Sequence, residues 1–430
     1  MRIAFVGNHL RTAVFCRVAD NLLASGHDIF WIATGSHSMR DLLSSYSDVV
    51  DVSGVDRIDT EAILAIEKRS VMAVRDIVAS DRILSKKSEK FSLGYISNVF
   101  SKVHNLIKSN DIQIVFGEAT WAHELVIASV CRMLGVRYLV PSTVRYPSER
   151  FAFFEGVYQK RLFETSNVAD IETGRELFNR FMKGGNKPFY MNKPERSFIS
   201  ALGYHICRYL KGDTKDMTVP SFVNLVKDKL RDRRALPVLP LPERYVYLPL
   251  QVQPEASVDV LGFSYADQYE FVKNVAKCLP EGVKLAVKEH PNRKSRLDVC
   301  SIPNVVMVGG DSLDIIRGAE AVVSVSGTAC YEAGLLGVPA YIFSEMFFCD
   351  LPTVSFCNSY EELRLSLKNK PEPDEGCVVS FLADLYANSY EGYCESPAVY
   401  ADALSKENIS NLIYAFEDVI DIYTKKSAST

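Results

Sequence analysis

Two short stretches hold the side chains best suited to chemistry. Lys288-Glu289-His290-Pro291 closes the apolar run VKLAV, and Ser324-Val325-Ser326-Gly327-Thr328 closes a second, directly before CYEAGLLG. An imidazole placed where a strand leaves its sheet can donate a hydrogen bond to a phosphate oxygen. A Ser-Gly-Thr turn that opens a helix offers backbone N–H groups and the positive end of the helix dipole to an anion. Glu332, one turn into that helix, is placed to accept from ribose hydroxyls. Taken alone, His290 reads as a capping or core histidine, and Ser326 or Thr328 as a helix cap. Side by side at two strand ends, these groups favour a phosphate or sugar-carboxylate site, the starting point of a nucleotide-sugar reading.

Two carboxylates extend this picture. In LPLQVQPEAS a buried strand runs into Gln251, Gln253 and Glu255, which share one face by period two if the chain stays extended. Pro254 cannot donate to a ladder and stops the strand there. In FGEAT, Glu118 ends another strand and precedes a helix. Glu118 and Glu255 could flank a reacting sugar from opposite walls, one stabilising or trapping an oxocarbenium centre and the other handling a proton. The alternative for each is a solvated or capping glutamate. Arg145, Tyr146 and Arg150, in the aromatic and basic segment RYPSERF, are candidates for acceptor binding, weighed equally against an ordinary surface loop.

The elements that position these residues alternate. RIAFVG, HDIFWIAT, DIQIVFGE and VRYLVPST read as strands. RTAVFCRVADNLLASG and TWAHELVIASVCRMLG read as amphipathic helices between them. The rhythm breaks over about residues 145–240, a polar, charged and helical insertion ending in the proline-rich linker LPVLPLPE. It resumes with the strands YVYLPLQ, VKLAVKEHP, NVVMVG, AVVSVSG and PAYIFSE, and the chain closes on a helix, ENISNLIYAFEDVIDIYTKK. The expectation is α/β: two Rossmann-like domains facing a central cleft, residues 1–240 with the insertion and residues 241–430 with the closing helix.

Composition bounds the rest. A chain of 430 residues is too long for one ordinary core. A net charge of −4 gives no electrostatic case for nucleic acid. No apolar run has the length of a membrane span, and MRIAFVGNHL enters a strand without a signal-peptide layout. The ten cysteines form no CxxC pair, which favours a reducing, cytoplasmic setting. Gly7-Asn8-His9 makes a tight turn after the first strand but lacks the GxGxxG fingerprint. The histidines show no metal-ligand spacing, so no metal and no other cofactor is expected.

LPLQVQPEAS, KEHP and SVSGTACYEAGLLGVPA, in that order, resemble the bacterial capsule polysaccharide biosynthesis family, which includes the Kdo transferases of capsule and lipopolysaccharide assembly. FGE and RYPSERF add a looser match in the first half. The resemblance implies a GT-B fold and a CMP-activated donor, often CMP-Kdo. It implies phosphate or carboxylate contacts at His290, Ser326 and Thr328. Lys288, Gln251, Gln253, Gly327 and Glu332 are expected in the same donor site from their places at the strand ends. The resemblance also implies a nucleophile at Glu255, where relatives commonly carry aspartate, and an acid/base at Glu118. The implied activity is sugar transfer to a surface polysaccharide or glycolipid. Peripheral association with the inner face of the cytoplasmic membrane is compatible with the sequence, and no segment demands it. The competing readings are a UDP-GlcNAc 2-epimerase type of enzyme, a polyol-phosphate transferase using CDP-glycerol, and a sugar-binding protein without catalysis.

Overall fold

A computed structural model describes residues 1–8, 11–69, 72–184, 238–253, 255–290, 293 and 297–428. His9, Pro254, Pro291 and residues 185–237 of the expected insertion lie outside them.

The first sheet contains β1 (Arg2–Val6), β2 (Asp28–Ala33), β3 (Val49–Asp51), β4 (Ile114–Phe116), β5 (Arg137–Thr143), β6 (Arg150–Glu155) and β13 (Tyr390–Glu391), in the order β13-β6-β5-β4-β1-β2-β3. Strands β1 to β5 are parallel, while β6 runs antiparallel to β5 and β13 antiparallel to β6. The second sheet contains β7 (Tyr245–Pro249), β8 (Lys284–Lys288), β9 (Val305–Met307), β10 (Ala321–Ser324), β11 (Ala340–Ile342) and β12 (Val354–Phe356), in the order β12-β11-β10-β7-β8-β9. All its pairings are parallel. Both sheets are therefore doubly wound, with strand order reversing between β1 and β4 in one and between β7 and β10 in the other. Ligands of such sheets bind beyond the carboxyl ends of the strands at the reversal. With a shared cleft between the two sheets, this is the expected GT-B arrangement.

Period two sorts each strand between two cores. Ile3 and Phe5 join one apolar cluster, with Phe116 and Phe153, while Ala4 and Val6 face another, with Tyr95 and Val99. In β7, Val246 and Leu248 face one side and Tyr245 and Tyr247 the other. The second cluster is continuous across the domains: Tyr146, Phe154 and Phe181 belong to it together with Tyr331, Phe347 and Phe348. Backbone polar groups are paired across the same boundary. The Tyr331 hydroxyl donates to the Tyr146 carbonyl at 2.8 Å, and Phe347 N–H to the Gln159 carbonyl at 2.7 Å.

Two expectations need correction. Residues 150–155 are strand β6 rather than the beginning of a helical insertion. RFAFFE is buried on both faces, so it carries no polar alternation to mark it as a strand. The closing helix, Lys406–Ala428, belongs to the first sheet rather than to a second domain running from 241 to 430. Its Phe416 packs at ring-centroid distances of 4.7 Å from Phe116 and 4.9 Å from Phe153. Strand β13 extends the same sheet, and the helix Glu375–Ala387 packs on Ile171–Gly184. The chain thus returns to its first domain after completing the second sheet. No helix among the described residues is long and apolar enough to cross a membrane.

Candidate active site

The two strand-order reversals open onto one cavity of about 780 Å³, within the range of small-molecule sites. Its first-domain wall includes Arg11, Glu118, Thr120 and Arg145. Its second-domain wall includes Gln251, Glu255, Lys288, His290, Gly327, Thr328 and Glu332.

The second wall is built around the β10 loop. Gln251, just past β7, braces it. Its Oε1 accepts from the Ser324 hydroxyl at 3.1 Å and from Ser326 N–H at 3.2 Å, and its Nε2 donates to the Ser326 hydroxyl at 3.1 Å. The Ser326 hydroxyl in turn donates to the Ser257 carbonyl at 2.6 Å. Ser326 is buried, so its side chain holds the loop. The surface offered to an anion is the first turn of helix Thr328–Leu335, where Gly327, Thr328 and Ala329 line the cavity. Gly327 is the N-cap of that helix, and a Cβ there would lie 2.6 Å from the Ser324 oxygen, closer than real side chains come. At the end of β8, Lys288 donates to the Ser312 hydroxyl at 2.8 Å. Burial pulls its ammonium below the ordinary lysine range, while Asp311 and Glu332 oppose the shift. Buried Glu332 and the Tyr247–Ser312 pair complete this end of the cavity.

The first wall centres on a cation that the sequence patterns did not single out. Arg11 is buried, with 8% of its surface exposed. Its Nη1 meets Glu118 at 2.8 Å and its Nη2 lies 3.6 Å from Glu395. The same guanidinium donates to the Pro141 and Cys394 carbonyls. Burial works against its charge, yet Glu118 and Glu395 outweigh burial and hold it above the ordinary arginine value. One signal was visible in the sequence: Arg11 stands at the N-terminal end of a helix, where the dipole disfavours a cation. Such a placement asks for carboxylate partners. Beneath Glu118 lies Glu124, fully buried. It accepts from Asn8 Nδ2 at 2.7 Å, Thr120 N–H at 2.7 Å and Trp121 N–H at 3.0 Å. Burial and Glu118 push this carboxyl up, against those three donors. Glu124 therefore fixes the loop that presents Glu118 and ties it to the turn after β1.

Several expected residues sit elsewhere. Strand β7 ends at Pro249, and Glu255 is the exposed N-cap of the short helix Ala256–Asp259, so Gln251, Gln253 and Glu255 do not form one extended face. Gln253 does not line the cavity. Its Nε2 donates to Asp259 at 2.9 Å and to the Ala266 carbonyl at 2.8 Å, holding the loop from behind. Tyr146 and Arg150 do not reach the cavity either. Tyr146 is buried, its hydroxyl donating to the Leu177 carbonyl at 2.7 Å. Arg150 is bound to the Ser389 hydroxyl at 2.9 Å and stacks on Tyr386. Arg145 lines the cavity from a left-handed backbone conformation with φ 69°, and its Nη1 donates to the Ser326 carbonyl at 2.9 Å. It lies against the Ser326–Gly327 turn of the other domain. Among the described residues, no three His, Cys, Asp or Glu side chains are grouped so that they could hold a metal ion.

No protein-family model and no curated protein sequence matches the chain. Solved structures do. A KpsC from Thermosulfurimonas dismutans, described as a beta Kdo 2,7 transferase, is similar at 11% identity over 74% of this chain and 89% of its own, with a TM-score of 0.34. A UDP-GlcNAc 2-epimerase from Neisseria meningitidis is similar at 10% identity over 90% of this chain and 98% of its own, TM-score 0.30. MurG from Acinetobacter baumannii is similar at 12% identity over 99% of each chain, TM-score 0.30. Likeness at this level concerns the course of the chain and says nothing of its chemistry.

Proposed function

We propose that the protein is a glycosyltransferase that moves a sugar from a CMP-activated donor, Kdo or a related acidic sugar, to a glycan or glycolipid acceptor. The observation that carries this reading is one cavity, about 780 Å³, with an anion-binding helix N-terminus on one wall and a carboxylate on each wall. The donor's phosphate lies at Gly327–Ala329, beside His290, with Arg145 contributing from the first domain. The ribose end lies towards Lys288 and Glu332. The anomeric carbon then falls between Glu118 and Glu255, where positive charge that develops as CMP departs meets a carboxylate. The resemblance around KEHP favours CMP over UDP-GlcNAc or CDP-glycerol.

Thermal melting tests the choice of nucleotide. CMP at one hundred times its dissociation constant stabilises the folded protein by about 2.7 kcal/mol, and neither UDP-GlcNAc nor CDP-glycerol does so at the same concentration. Stabilisation by UDP-GlcNAc alone would transfer the site to the epimerase reading. His290→Ala weakens CMP binding by about 1.5–3 kcal/mol in calorimetry, the worth of a hydrogen bond to a charged group, with the fold intact. Wild-type CMP affinity in that variant would remove His290 from the site.

A further inference from the structure

The cavity leaves open what holds the two carboxylate loops in register, since Glu118 and Glu255 belong to different domains. Asp81 and Arg82 are adjacent, and one contacts the first domain while the other extends to the second. Asp81 is buried, with 3% exposed. Its Oδ1 accepts from Ile83 N–H at 2.9 Å and Leu84 N–H at 2.8 Å, and its Oδ2 from Ala122 N–H at 2.8 Å. Residues 81–84 are thereby locked to the start of the helix that follows Glu118–Trp121. Arg82 stacks its guanidinium on Trp121, 4.6 Å from the ring centroid. From there it reaches across the cleft to Asp259, with Nε 4.0 Å from Oδ2. Asp259 is the residue that organises the Glu255 loop: Oδ2 accepts from Glu255 N–H at 2.9 Å, Oδ1 from Gln253 Nε2 at 2.9 Å, and Asp259 N–H donates to the Glu255 carbonyl at 2.8 Å.

Arg82 Nε is itself a buried donor without a hydrogen-bond partner. A buried unpaired donor is costly, and the Asp259 carboxylate lies about one ångström beyond hydrogen-bond reach. A small approach of the two loops converts this ion pair into a charge-assisted hydrogen bond.

We propose that Arg82 is a positioning residue, which braces the Glu118 loop of the first domain against the Glu255 loop of the second and sets the separation of the two carboxylates. What those carboxylates do rests on the transferase reading; the brace itself does not. The experiment therefore has two readouts. The first is hydrogen exchange over residues 253–260, and the second is CMP release from CMP-Kdo together with CMP affinity. Arg82→Met keeps the apolar stem on Trp121 and removes the charge. Asp259→Asn keeps an acceptor for Glu255 N–H but sets its amide NH2 against Gln253 Nε2, so it loosens the loop more than Arg82→Met does. Arg82→Met speeds exchange over 253–260 by about tenfold, the equivalent of ~1.4 kcal/mol. It lowers the maximal rate of CMP release by about tenfold, with CMP affinity unchanged. The double variant is no worse than Asp259→Asn alone, and Arg82→Lys recovers part of both signals. Exchange at the wild-type rate in Arg82→Met, or losses that multiply in the double variant, overturns the brace. A wild-type protein that releases no CMP, with the exchange response intact, supports the brace and removes the transferase reading alone.

Discussion

On the proposed transferase reading, Glu118→Gln and Glu255→Gln each lower turnover of the CMP-sugar by about 10²-fold or more while leaving CMP affinity nearly unchanged. Both side chains line the cavity, and neither belongs to the turn at Gly327–Ala329 proposed to hold the phosphate. Their removal is therefore felt when charge develops at the anomeric carbon, not when the nucleotide docks. The two sites are unequal. Glu118 is held by Arg11 at 2.8 Å on a loop fixed through Glu124, which suits a group that must keep one orientation. Glu255 is exposed at the start of a four-residue helix, which suits a nucleophile that closes on the sugar. Double displacement predicts a sugar adduct trapped on Glu255 with inverted anomeric configuration and a transferred product with retained configuration. An inverted product removes the nucleophile role and leaves Glu118 as a simple base. Wild-type rates in both glutamine variants would return both residues to the role of polar loop ends.

The second large effect falls on stability. Arg11→Met removes the cation between Glu118 and Glu395 and leaves the Cys394 and Pro141 carbonyls without their donor. Breaking a buried pair by deleting one partner strands the other charge, which costs about 3–5 kcal/mol when the partner is fully buried. Here the glutamates keep 18% and 25% of their side-chain surface exposed, so about 3 kcal/mol is expected in denaturant unfolding. Adding Glu118→Gln to Arg11→Met recovers part of the loss, because the stranded charge is gone. Purely additive losses would show that Arg11 acts through packing and its carbonyl contacts alone.

The sequence was informative where strands are buried and end abruptly. Nine expected strands are present, and the two polar clusters at 288–290 and 324–328 meet at one cavity, because apolar runs cut short by polar residues mark the carboxyl edge of a parallel sheet. It was less informative where pairing depends on distant partners. β13 is two residues long and has no periodicity to read; it is a strand because Tyr390 meets Phe151. Arg150 and Tyr146 looked like surface chemistry because basic and aromatic side chains after a strand are commonly exposed. Their partners, Ser389 and Leu177, come from segments that no local pattern joins to them. Arg11 and Glu395 are 384 residues apart in the chain (395 − 11), and their meeting is a property of the chain's return to its first domain.

That return governs the order in which the protein can be finished during synthesis. The second sheet draws all its strands from residues 245–356, so its hydrogen-bonded ladder is complete once that stretch has left the ribosome. The first sheet, although it begins at residue 2, still lacks its edge strand, Tyr390–Glu391. Phe5, Phe116 and Phe153 lack the Phe416 ring that covers them. A nascent chain therefore carries an uncovered aromatic face through the making of its entire second domain. Such a face invites misassembly, and closing it requires contacts of very long sequence separation, which form slowly. The domain whose synthesis begins first can be completed only after the second has been made.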